Sequence, residues 1–145
     1  MKRHRKRSMS RRVLVVEPSR TIRTLLEIFL QRDGHQAMIF ASYGEARYAL
    51  TLPQFRTYSP EVVFVAVHTS QLESHRLIEE LRRRYTHTFT RIVAMVAQEE
   101  SEHHQMRRLA QDEQIILLLK PFRIQDALAL VSAFTPVPPG TLETR

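Results

Sequence analysis

PEVVFVAV, residues 60–67, sets six consecutive apolar side chains, Val62, Val63, Phe64, Val65, Ala66 and Val67, behind a proline and an acid. Successive side chains of a strand point to opposite faces, so a strand with one wet face alternates polar and apolar residues. This run does not alternate. It therefore predicts a strand covered on both faces, as in a parallel sheet between two helix layers. The polar stretch from Pro53 to Pro60 ahead of it reads as a loop.

Outward from this strand, the same alternation of short apolar runs and helix-length segments recurs. Toward the N-terminus, VLVV at Val13–Val16 is a first strand, and Ile22, Leu25, Leu26, Phe29 and Leu30 form one face of a helix closed by Gly34. QAMIF is a second strand, followed by Ser42 and Glu45 as a capping box before a helix with Ala46, Ala49 and Leu50 inward. Beyond residue 67, Ser70 and Glu73 predict a second capping box, opening a helix with Leu77, Ile78 and Leu81 inward. A fourth strand at Ile92–Val96 precedes a polar helix from Glu100 to Ala110, with Met106, Leu109 and Ala110 as its inner stripe. The fifth strand is Ile115–Leu119, and the last helix turns Ile124, Ala127, Leu128 and Val131 to one side.

Five apolar strands alternating with five helices predict an α/β fold with a parallel sheet covered on both faces. Right-handed crossovers leave few topologies at this size, and the flavodoxin-like doubly wound order 2-1-3-4-5 is the expected one. Ligand sites in such sheets lie beyond the carboxyl ends of the strands. That rule points to Glu17, Pro18, Ala66, Val67, Val96, Ala97 and Lys120.

Composition bounds the rest. With 145 residues and 43% hydrophobic content, the chain can bury one core. It has no cysteine, which excludes disulfides and thiolate metal sites and suits a reducing cytoplasm. No apolar run approaches the roughly 20 residues that cross a bilayer, so no membrane insertion is expected. The net charge of +7 is concentrated: Lys2, Arg3, Arg5, Lys6, Arg7, Arg11 and Arg12 are seven of 22 cations, leaving 15 against 15 acids from Val13 onward. Residues 1–12 thus read as a mobile basic tail, 13–134 as the folded domain, and the proline-rich TPVPPGTLETR of 135–145 as a disordered end. A tail of this charge attracts phosphate backbones, anionic membrane surfaces or acidic partners. Without interleaved aromatics it would contact nucleic acid through phosphate alone.

The segments VLVVEPSRTIRTLLEIFLQRDGH, SPEVVFVAV, RIVAMVA and IILLLKPF, in that order, resemble the receiver domain of two-component response regulators. The resemblance covers about Arg12 to Phe134 and is most specific at EPSRTIRTLL and LLLKPF. It implies that the acidic pair of the family corresponds to Glu17 and Pro18, and its phosphoacceptor aspartate to Ala66. It further assigns the hydroxyl-bearing switch residue to Val96, the aromatic switch residue to Leu117 and the family lysine to Lys120. The Lys120–Pro121 bond is similar to one that is cis in this family. Only Glu17, in charge, and Lys120, in identity, keep the pattern.

The four departures act in one direction. Phosphoryl transfer to a carboxylate needs a nucleophile, oxygen ligands for a divalent cation, and cationic stabilisation of developing charge. Ala66 removes the nucleophile and a ligand, Pro18 removes a second carboxylate, Val96 lacks the hydroxyl and Leu117 the phenol. Neither catalysis nor a metal or other cofactor is expected, and a Glu17–Lys120 ion pair is. His68, Thr69 and Ser70 do not replace the acceptor, since Ser70 reads as a helix cap. His103 and His104, with Glu99, Glu100 and Glu102, lack the i, i+4 spacing of a metal pair and read as an exposed polar helix. The resemblance implies a signalling module that binds a protein partner, or a second copy of itself, through the face around the fourth helix, fifth strand and fifth helix. Met106, Leu109, Ile115 and Phe134 are the candidate residues there. The competing expectation is a nucleic-acid-associated protein whose basic tail supplies the affinity.

Overall fold

The computed structural model describes residues 9–137. Ten main elements alternate along the chain: β1 (Arg12–Val16), α1 (Arg20–Arg32), β2 (Gln36–Phe40), α2 (Tyr43–Leu50), β3 (Val62–Val67), α3 (Leu72–Arg84), β4 (Arg91–Ala97), α4 (His104–Ala110), β5 (Ile115–Lys120) and α5 (Ile124–Ser132). The strands form one parallel sheet in the order β2-β1-β3-β4-β5, as the sequence predicts. All six residues of β3 are buried, because strands lie on both sides of it and helices cover both faces.

Period-two alternation divides the core into two layers. Leu14, Val16, Val63, Val65, Val67, Ala94 and Val96 face the side of α2, α3 and α4, while Val13, Val15, Val62, Phe64, Ala66 and Met95 face α1 and α5. A fully buried side chain of Val or Phe size contributes on the order of 1.5–3 kcal/mol, so a one-residue slip of β3 would exchange both layers at once.

Local signals account for most element ends. Ser19 caps α1 by accepting the N–H of Ile22, and Gly34 ends the helix at φ 86°, a left-handed conformation costly for other residues. Ser42 caps α2 by accepting from Glu45 N–H at 3.1 Å, but the Glu45 carboxylate takes the N–H of Ala41 instead of closing the box on Ser42.

Three expectations are corrected. The capping residue of α3 is Gln71, not Ser70, and it makes no side-chain cap bond. A turn closed by Gln71 N–H to the His68 carbonyl delays the helix, and Ser74 supplies the local hydroxyl instead, donating to the Gln71 carbonyl. The expected helix from Glu100 splits into a 3-10 turn at Gln98–Glu100 and a short α4, because His103 is extended and its ring caps Gln105 N–H. Arg12 belongs to β1, and the backbone carbonyl and N–H of Arg11 are already engaged with Gln36 and His35, so neither residue belongs to the mobile tail expected for residues 1–12. Lys2, Arg3, Arg5, Lys6 and Arg7 lie outside the described residues, as does most of the proline-rich end.

Candidate functional site

At the carboxyl edge of the sheet, Glu17 is the first residue after β1, and its N–H still bonds the Phe40 carbonyl at 3.1 Å. Its carboxylate is buried, with the side chain 2% exposed. One oxygen, Oε2, accepts the Ser19 N–H at 2.8 Å. The other lies 2.9 Å from Lys120 Nζ, the ion pair expected from the sequence. That approach is off the line of a hydrogen bond, and Oε1 has no other polar partner, so the lysine charge alone offsets its burial. Arg23 braces the loop from outside, its guanidinium donating to the carbonyls of Glu17 and Pro18, both at 2.9 Å.

The remaining predicted positions are apolar and mostly closed. Ala66 and Val96 are fully buried, Ala66 toward α1 and α5 and Val96 toward the opposite layer. Leu117 is half-buried against the layer of α2, α3 and α4. Pro18 and Pro121 are exposed, and the Lys120–Pro121 bond is cis. Of the predicted positions only Glu17 carries a carboxylate, and a lysine already engages it, where a hard divalent cation would want several oxygen ligands.

A residue that sequence reasoning missed completes this edge. Tyr43, the first residue of α2, is buried, and its hydroxyl donates to the main-chain carbonyl of Ala66. Burial, reinforced by the negative charges of Glu17 and Glu73, pushes the phenol far up, so it stays a donor. Its position directly after a capping serine drew attention to the cap rather than to the ring. The β3–α3 loop is held as well: Thr69 N–H donates to Glu100 Oε1 at 2.9 Å, and His75 Nε2 lies 3.2 Å from the His68 carbonyl.

The other candidate groups disperse. Met106 is fully buried and Ile115 is 3% exposed, so neither is available on a docking face; Leu109 and Phe134 are half-buried in opposite layers. Arg11 and Arg12 are engaged at the other edge of the sheet, by Glu61 and by the carbonyls of Phe134 and Ser59, which removes two of the seven charges assigned to a free tail.

No protein-family model and no curated protein matches the chain. Solved structures do. A CheY-like response regulator receiver domain protein from Methanospirillum hungatei superposes with a TM-score of 0.68 at 14% identity, over 86% of this chain and 92% of that one. A response regulator from Thermotoga maritima gives 0.66 at 23% identity, over 87% and 98%. The fold is that of a response regulator receiver domain. NtrX from Brucella abortus matches with a TM-score of 0.68 at 19% identity over 87% of this chain, which spans only 27% of its length. Among the described residues, no helix is long and apolar enough to cross a membrane.

Proposed function

We propose that this chain is a pseudo-receiver of two-component signalling: a cytoplasmic protein-interaction module that works without phosphorylation and has no enzyme activity of its own. The observation that carries this reading is the end of β3. The position corresponding to the phosphoacceptor is a buried methyl group, Ala66, whose own carbonyl is tied to the Tyr43 hydroxyl. No nucleophile is present there, and the neighbouring Glu17 and Lys120 neutralise each other instead of holding a cation and a phosphoryl group. A site closed in this way has one state, so the surfaces around it present one shape to a partner.

The test is to incubate the full chain with a small-molecule phosphodonor and Mg2+ and follow intact mass and amide resonances. The expected result is no covalent phosphoryl adduct and no shift at Glu17, Ala66 or Lys120. A stable adduct, or Mg2+-dependent shifts centred on Glu17, would sink the proposal. Because Arg11 and Arg12 are built into the fold, the basic-tail reading rests on residues before Met9, and none of the described contacts favours it.

A further inference from the structure

At the opposite, amino edge of the sheet, the backbone N–H of Arg11 donates to Nδ1 of His35 at 3.0 Å, and Gln36 N–H returns a bond to the Arg11 carbonyl at 2.9 Å. The Arg11 guanidinium donates to the Phe134 carbonyl at 3.0 Å and approaches Glu61 at 3.7 Å. One residue thus joins the N-terminal segment to β2, to the segment ahead of β3 and to the chain leaving α5.

His35 is the buried partner in this junction. Its side chain is fully buried, and Nε2 has no hydrogen-bond partner; the nearest carboxylate oxygen, of Asp33, is 4.0 Å away. Because Nδ1 accepts a hydrogen bond, the ring is the neutral tautomer with its proton on Nε2. An imidazolium carries N–H on both nitrogens and cannot accept. Protonation would therefore set two N–H groups against each other across the Arg11 contact and bury a cation beside the Arg11 guanidinium.

We propose that His35 is a proton-operated latch: the neutral ring holds Arg11, and with it the junction between the basic N-terminal segment and the sheet, and uptake of a proton releases that junction. The charged groups around the ring are Asp33 at the end of α1, Arg11 ahead of β1 and Glu61 ahead of β3; β2 contributes none. Burial, the largest influence, and Arg11 favour the neutral ring, while Asp33 and Glu61 oppose them, and the balance lies below the ordinary value of 6.5. With the folded-state value depressed, the stabilisation is present above the unfolded value and is lost as pH falls through the folded one.

The experiment follows the His35 ring resonances and Arg11 amide exchange in the full chain from about pH 8 to about pH 5. The expected result is a ring midpoint below 6.5, with Arg11 losing about tenfold in protection, corrected for intrinsic exchange, along the same curve. The Val65 amide should hold. Asp33→Asn, at an exposed helix end, should lower the midpoint further and carry the loss of protection with it. His35→Gln, whose amide oxygen accepts without titrating, should flatten the Arg11 profile; if that variant does not fold, Asp33→Asn decides alone. A midpoint at or above 6.5, or Arg11 protection indifferent to the ring titration in wild type or Asp33→Asn, overturns the proposal.

Discussion

The two edges of this one sheet are built differently. At the carboxyl edge, Ala66 and Val96 bury apolar groups, and a single ion pair, Glu17–Lys120, is closed on itself. At the amino edge, Arg11, Arg12, His35, Glu61, Thr90 and Gln114 share a network: Arg12 N–H bonds Glu61 at 2.9 Å, Thr90 bonds the Pro60 carbonyl at 2.7 Å and Gln114 bonds the Thr90 carbonyl at 3.1 Å. In sheets of this topology ligands bind at the carboxyl edge. Here the predicted site at that edge is filled by its own ion pair, and the polar network at the amino edge holds the entering and leaving chain.

The largest effect should come from breaking the ion pair. Lys120→Met leaves the Glu17 carboxylate buried and uncompensated, and urea unfolding should show a loss of about 3 kcal/mol. Adding Glu17→Gln should recover most of it, since the pair removed together is nearly neutral. A Lys120→Met chain as stable as wild type would mean that the edge is hydrated rather than closed.

At the opposite edge, a chain beginning at Val13 loses the Arg11 and Arg12 contacts and should be about 2 kcal/mol less stable, whereas one beginning at Met9 should fall within about 0.5 kcal/mol of the full chain. Equal stabilities would return Arg11 and Arg12 to the tail. The smallest effect is expected at Tyr43→Phe, which removes one buried hydrogen bond to the Ala66 carbonyl and should cost about 1 kcal/mol by thermal or urea unfolding. A change near zero would make the ring, rather than the hydroxyl, the filler of that corner.

What could be read in advance depended on how local its cause was. The strands were legible because both-face burial leaves a continuous apolar run, and the topology followed from the alternation of elements. The Glu17–Lys120 pair was legible because the two residues end strands that deliver side chains to one edge. Arg11 and Arg12 were misassigned because a charge count along the chain cannot see Glu61, which folding brings to Arg12 across 49 residues. Ser70 has the composition of a cap, but the backbone turn at His68–Gln71 moves the helix start past it. Tyr43 carried no signal, since the group it bonds is a main-chain carbonyl that every residue possesses.

The Arg11–Phe134 bond also bears on how the chain could be rewired. It sets the entrance and exit of the folded body side by side, so a short linker from about Met9 to about Val137 could close them. New termini could then be opened between Arg56 and Thr57, both exposed, just past the 3-10 turn Pro53–Phe55. Such a circular permutant would keep the sheet order while bringing β5 and β1 close in sequence and lengthening the separation of the paired strands β1 and β3, making the connectivity of this fold an adjustable variable in its folding rate.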